Sequence, residues 1–227
     1  MGSSRKIYYR SIFISDIHLG FADSKIDLLL DFLEHTKSEY LYVVGDFVDF
    51  IHLHEHHGWS KKCNEIIRRM FSKVHKGTKI RICIGNHDAF FGILSGFQLG
   101  NIHIAKEFLH ENKFCDYLVC HGDVYDKSMK WSFLSKIVSF CNSHFYWFSQ
   151  LKRIRKIIDK IAERNINKEA MREDILKHGA FGIIYGHTHF PYIDKNEINC
   201  GDWVEHCSAI VETTEGQFEL IKWKENV

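Results

Sequence analysis

Five short clusters of metal-binding residue types punctuate this chain. They are Asp16-Ile17-His18, Gly45-Asp46 with Asp49, Gly85-Asn86-His87-Asp88, His121-Gly122-Asp123 and Gly186-His187-Thr188-His189. Carboxylates, an amide oxygen and several neutral imidazoles suit Mn²⁺, Fe or Zn²⁺, with Mn²⁺ the first expectation, whereas a Mg²⁺ or Ca²⁺ site would be nearly all oxygen. The cysteines stand outside the clusters, so a thiolate zinc site is not expected. Two such ions about 3.5 to 4 Å apart clamp the attacking and leaving oxygens of an in-line phosphoryl displacement, and a carboxylate such as Asp46 can bridge them. Singly, a D-x-H triplet is short enough to arise by chance, and a polar residue after a strand is ordinarily a turn or a helix cap. The weight lies in the set and its order.

Each cluster follows an apolar run that reads as a buried strand: residues 12–14, 41–44, 80–84, 117–120 and 181–185. Ligands of open α/β sheets bind in the crevice beyond the carboxyl ends of the strands, so all five clusters can converge there. Ile26, Leu29, Leu30 and Leu33 fall on one helical face after the cap candidates Asp23 and Ser24. Ile66, Ile67, Met70, Phe71 and Val74 make a second amphipathic helix, ended by Gly77. Toward the C-terminus, 197–202, 207–212 and 217–222 read as strands without helices between them, the last pair turning at Glu215-Gly216. Such a run predicts an antiparallel portion, as a second sheet would supply.

At 227 residues and 45% apolar content the chain can bury a full core, and it reads as one domain, 1–227. No apolar run is long enough to span a bilayer, and the N-terminus lacks the apolar centre of a signal peptide. Seven cysteines without a C-x-x-C pair predict reduced thiols and a cytoplasmic setting, with Cys83 and Cys120 as packing residues. A formal net charge of +1 argues against a nucleic-acid partner.

The ordered set D-x-H, G-D-x-x-D, G-N-H-D, a lone His before Gly-Asp, and G-H-x-H resembles the calcineurin-like metallophosphoesterases. That resemblance implies an α/β fold of two facing mixed sheets flanked by helices. It implies two divalent ions, one held by Asp16, His18, Asp46 and His189, the other by Asp46, Asn86, His121 and His187. His87 carries no metal in the family pattern; it would face the phosphoryl or leaving oxygen, with Asp88 holding its imidazole. Asp49 and Asp123 have two readings, as partners orienting a ligand imidazole or as helix caps.

Between the fourth and fifth clusters, within 126–178, lies a segment expected to be a helical insertion. Trp131, Phe133, Phe140, Phe145, Tyr146, Trp147 and Phe148 crowd its first part. A basic amphipathic stripe follows on Leu151, Ile154, Ile158 and Ile161, among Lys152, Arg153, Arg155, Lys156 and Lys160. The pair suits a lid, an acyl-chain site or a peripheral contact with an anionic membrane face; the plainer reading is ordinary helices closing the core. The 199–207 stretch, Asn-Cys-Gly-Asp-Trp-Val-Glu-His-Cys, is similar to one in the UDP-2,3-diacylglucosamine pyrophosphatase-like phosphoesterases, as are 14–20 and 185–189. Those enzymes release UMP and an acylated sugar phosphate, and such an acylated nucleotide-sugar is the substrate the resemblance implies. At His87, where the lipid A enzymes carry Arg, the chain agrees instead with the wider set of relatives. Phosphoester hydrolysis of a soluble substrate and a non-catalytic scaffold are the rival readings. His52, His54, Glu55, His56 and His57 fit no pattern; the readings are imidazolium donors to a substrate phosphate, an adventitious metal site, or a solvated loop.

Overall fold

The computed structural model describes residues 6–50, 53, 58–127 and 166–224. The histidine-rich stretch around 52–57, and the aromatic and basic stretches of the expected insertion, lie outside these described residues.

Four parallel strands, β1 (Ile7–Ile14), β2 (Thr36–Val44), β3 (Lys79–Cys83) and β5 (Ile102–Ala105), form the centre of the first sheet. A short β4 (Gln98–Leu99) borders it antiparallel on one side, and β11 (Ser208–Glu212) and β12 (Phe218–Lys222) on the other, seven strands in all. The second sheet has β6 (Glu107–Glu111), β7 (Asp116–Cys120), β8 (Gly182–Tyr185), β10 (Glu197–Asn199) and β9 (Tyr192–Asp194), in that order. There β7, β8 and β10 run parallel, with antiparallel strands at both edges.

Alternation along the strands assigns the layers. On β1, Ile12 and Ile14 turn to one face and pack with Leu29, Phe32 and Leu33 of α1 (Ile26–His35) and Ile66 and Met70 of α2 (Lys61–His75). The intervening Phe13 turns to the other face and packs with Tyr42, Val44, Val119, Ile184 and Ile198, between the two sheets. The outer face of the second sheet, Leu118, Cys120, Ile183 and Tyr185, is covered by Met171 and Ile175 of α3 (Lys168–Lys177). Helix, sheet, sheet and helix therefore stack as four layers, as the resemblance implied.

One buried polar cluster ties the sheets together. Glu212 of β11 accepts hydrogen bonds from Ser11 Oγ at 2.6 Å, Arg10 Nη1 at 2.6 Å and Asn112 Nδ2 at 2.8 Å, and its Oε2 lies 3.0 Å from His110 Nε2 of β6. His110 Nδ1 meets the Tyr42 hydroxyl at 3.1 Å. Every acceptor position of this fully buried carboxylate faces a donor, which is what makes its burial tolerable.

Several local expectations are corrected. Neither Asp23 nor Ser24 caps α1: the cap position is Lys25, without a side-chain cap bond, and Ser24 Oγ instead donates to Ile17 O at 2.6 Å. In α2 the cap is Ser60, whose hydroxyl accepts from Cys63 N, and Phe71 points outward while Lys73 takes a buried place on the inner stripe. Strands β11 and β12 are antiparallel as expected but border the first sheet; of the three expected strands only β10 joins the second, parallel to β8 and antiparallel to β9. Helix α3 falls inside the 126–178 segment, where it forms the outermost layer of the core. The six described cysteines are free thiols, and Cys83 and Cys120 pack inside as expected.

Candidate metal centre

All five clusters stand at the carboxyl ends of β1, β2, β3, β7 and β8, and main-chain bonds zip their loops together. In the first sheet Asp16 N donates to Gly45 O at 3.3 Å and His18 N to Asp46 O at 2.9 Å; in the second, Gly186 N donates to His121 O at 3.0 Å. The backbone here is held in an unusual state. Of the seven non-glycine residues with positive φ among the described residues, five are Asp16, His18, Asp46, His187 and His189. Such conformations cost energy and persist where surrounding structure over-determines them, typically at functional sites.

The glycines of these motifs are required by contact. A Cβ on Gly85 would overlap the Asp46 carboxylate and backbone N, and one on Gly186 would overlap Ser15 Oγ and Asp16 Oδ2. Only glycine lets the third and fifth loops close on the carboxylates of the first and second.

Three groups of donor atoms lie within 4.8 Å of one another: Asp16, His18 and His189; Asp16, Asp46 and His121; and His18, Asp49 and His87. Asp46 Oδ2 stands between His121 Nε2 at 3.3 Å and His18 Nε2 at 3.8 Å, while Asp16 Oδ1 faces His189 Nε2 at 3.1 Å. Asn86 Oδ1 lies 3.1 Å from His121 Nε2. His187 is set slightly apart, its ring centroid 5.2 Å from that of His121.

Carboxylates and carbonyls aim the imidazoles. Asp49 Oδ2 lies 3.1 Å from His18 Nδ1, and its Oδ1 lies 3.2 Å from His87 Nδ1, so Asp49 orients two rings. Val44 O receives His121 Nδ1 at 3.0 Å. Asp126 Oδ2 meets His187 Nε2 at 3.0 Å; spacing gave no sign of this residue. Asp202 accepts from the backbone N–H of Val204 and His206, and its Oδ2 lies 2.6 Å from His206 Nδ1 and 3.9 Å from His189 Nδ1. The backbone N–H of Trp203, whose side chain is fully buried, donates to Asp16 O at 3.1 Å, so the 199–207 stretch buttresses the first ligand loop.

Two expectations change. Asp88 does not hold the His87 ring through any hydrogen bond found among the described residues. It accepts from Gly85 N at 2.6 Å and Phe47 N at 2.7 Å, pinning the third loop to the second, while Asp49 takes the ring. Asp123 begins a single turn of 3-10 helix, Asp123–Tyr125, without a side-chain cap bond.

The donor set fits divalent cations. Asp16 Oδ1 and His18 Nε2 are buried and make no hydrogen bond among the described residues, although they converge on the same space. Burial alone would raise the Asp16 and Asp46 carboxyls and lower the imidazoles. Opposite charges win: His189 and His18 hold Asp16 well below the usual carboxylate range, and His121 does the same to Asp46. In return Asp16, Asp49 and Asp46 raise His18 to about 10, and His121 stands well above its usual value. A buried centre this rich in carboxylate demands positive charge, and divalent ions supply it with the coordination these atoms offer.

Residues 9–191 match the family model of the calcineurin-like phosphoesterases, a span that contains all five clusters. The chain belongs to that family. No curated protein matches this phosphoesterase. Among solved structures it is similar to a novel archaeal phosphodiesterase, with 14% identity, 93% of this chain and 98% of that one covered, and a TM-score of 0.52. It is also similar to a Vps29 single mutant from Entamoeba histolytica (11% identity, 94% and 99% covered, TM-score 0.48). A predicted phosphoesterase from Streptococcus pneumoniae follows (15% identity, 94% and 97% covered, TM-score 0.38). At 14% identity the likeness to the archaeal phosphodiesterase is one of fold, and it agrees with the two mixed sheets of the phosphoesterase.

Proposed function

We propose that this phosphoesterase hydrolyses a phosphoanhydride or phosphoester bond with two divalent cations, Mn²⁺ first among the candidates. The observation that carries the reading is His87: a part-exposed imidazole, 4.6 Å ring to ring from His18, with its Nδ1 against Asp49 at the edge of the buried carboxylate and imidazole cluster. Asp16, His18, Asp46 and His189 would hold one ion, and Asp46, Asn86, His121 and His187 the other. Bound cations would supply an activated water and stabilise charge on the phosphoryl oxygens. The chain's own residues do the rest. His87 would donate a proton to the leaving oxygen, and Asp49, whose Oδ1 lies 3.2 Å from its Nδ1, would steady the charge that the ring carries. Asp126, hydrogen-bonded to His187 at 3.0 Å, keeps that ring from turning.

A second observation favours a substrate with an apolar part. Phe50, next to Asp49, packs at 6.0 Å on Phe90 and at 5.4 Å on Phe91, just beyond Asp88; Phe50, Phe90 and Ile93 are 42%, 67% and 76% exposed. An exposed apolar rim beside the His87 loop fits an acyl chain better than a soluble nucleotide. The substrate we infer is a UDP-2,3-diacylglucosamine-type pyrophosphate: water oxygen joins the α-phosphorus, the bridging P–O bond breaks, and UMP and an acylated sugar 1-phosphate leave. Such a substrate would place the enzyme in the cytoplasm, at the inner membrane face. Among the described residues no helix is long and apolar enough to cross a membrane.

The test is release of UMP from the acylated UDP-sugar by Mn²⁺-loaded protein, followed by phosphorus NMR. Turnover of that substrate at least about tenfold above UDP-glucose supports the acylated class. Equal turnover transfers the reading to soluble phosphoesters, and no turnover of any phosphoester by fully metal-loaded protein rejects hydrolysis.

A further inference from the structure

A second polar centre lies at the opposite end of the first sheet. Lys6 precedes β1, Thr36, Lys37 and Ser38 open β2, and Thr78 precedes β3. Helix α2 lays Arg69, Ser72, Lys73 and Lys76 beside them, at the i, i+3, i+4 and i+7 spacing of one helical face. With Tyr8 and Leu33 these residues line a partly open cavity of about 220 Å³. From Ser38 to Val44, beside the metal loops, is six strand residues, roughly 20 Å.

Charge in the cavity is one-sided. Five cations, Lys6, Lys37, Arg69, Lys73 and Lys76, line it, and the carboxylate that answers them is Glu34, paired with Arg69 and 3.9 Å from Lys6. Lys73 is only 7% exposed and spends one of its three donors on Thr36 O at 2.6 Å. Burial, then the charges of Lys6, Arg69 and Lys76, bring its ammonium down to about 8. Ser38, which lines the cavity, supplies an independent sign: its hydroxyl is buried and has no hydrogen-bond partner among the described residues. Lysines at a helix C-terminus are ordinarily answered by the helix dipole, which accounts for Lys73 and Lys76. It accounts for neither Lys6 and Lys37, from other elements, nor the orphaned hydroxyl.

We propose that this cavity binds the phosphoryl group of a small soluble phosphomonoester, at a site separate from the metal centre. A compact dianion would take the free donors of Lys73, the Ser38 hydroxyl and the ammonium groups of Lys37 and Lys76. The cavity is smaller than a typical drug-sized site, so the phosphoryl group and a short attached chain fill it. The assignment is independent of the phosphohydrolase reading.

The experiment titrates metal-loaded, ¹⁵N-labelled full-length protein with inorganic phosphate at constant ionic strength, following the amides of Ser38, Lys76 and Thr78. Saturable shifts at these amides are expected, with affinity falling at least about tenfold in a K37E/K76E variant, whose two sites are exposed and can change without unfolding the chain. S38A should also weaken binding while leaving the melting temperature unchanged or higher, because it removes an unsatisfied hydroxyl. Shifts confined to the amides of the metal loops would overturn the proposal. So would shifts at Ser38 and Thr78 that persist in K37E/K76E. Sedimentation with phosphatidate vesicles separates the source: capture by vesicles without saturable binding of free phosphate rejects the small-ligand site in favour of a lipid headgroup.

Discussion

His87 and Asp49 divide the work of the site between exposure and burial. His87 reaches solvent while Asp49, almost fully buried, touches both it and His18. Replacing His87 by Ala should lower kcat by about 10²- to 10⁴-fold and leave metal content, read by elemental analysis, unchanged. D49A should act differently, weakening metal affinity about 10- to 100-fold in chelator competition, because the His18 ring loses its orienting partner. G85A should be worse still: the added Cβ meets the Asp46 carboxylate and backbone, so we expect lost metal stoichiometry together with roughly 1–3 kcal/mol of destabilisation by urea titration. At this scale the ligand types were legible because coordination chemistry restricts them to a few side chains at strand ends. Of the orienting groups, Asp49 was among the readings and does face His18, but Asp126 was not: it meets His187 across 61 residues, and Asp88 pins loops where adjacency suggested that it holds His87, because loop crossings rather than sequence neighbours decide who faces whom.

The elements carry the site through their alternation, and the Glu212 cluster is where that alternation places charge between two sheets. Burial alone would raise the Glu212 carboxyl, but His110, Ser11 and Arg10 outweigh it and hold it below its ordinary 4.5. A carboxyl lowered on folding stabilises the native state above its unfolded-state value and loses that contribution as pH falls toward the folded one. E212Q should therefore cost about 1.5–3 kcal/mol at neutral pH, and the gap from wild type should close as urea titrations move toward pH about 3. A gap that stays constant with pH would remove the carboxylate from the account. The long strands β1, β2 and β3 and the stripe of α1 were legible from period alone. The two-residue β4 and the polar edges β6 and β9 were not, since two to five residues with mixed exposure carry no period.

In the whole molecule, Asp16, His18, Asp46, Asn86 and His87 hang from the first sheet, and His121, His187 and His189 from the second. Any cation shared by these side chains fastens one sheet to the other. Stripping metal with a chelator should lower Tm, and restoring Mn²⁺ should return it; at an ion concentration 1,000-fold above Kd the native state gains about 4 kcal/mol. A melting temperature indifferent to metal would mean that the sheets are held by the Phe13 layer and the Glu212 cluster without help from the ions. The facing of the sheets was implied by the family resemblance, whereas the membership of β11 and β12 depended on pairing partners far away in the chain, which hydrophobic pattern does not encode.

The left-handed backbone at Asp16, His18, Asp46, His187 and His189 sets a boundary for anyone re-engineering this centre. Asn, Asp and His tolerate that geometry best among residues with a side chain, and β-branched or bulky ones tolerate it least. A mutagenesis library aimed at a different metal preference should therefore exchange these three among themselves at the five positions. The wider search, with Cys or Glu, belongs at Asn86 and His121, where the chain turns without that restriction.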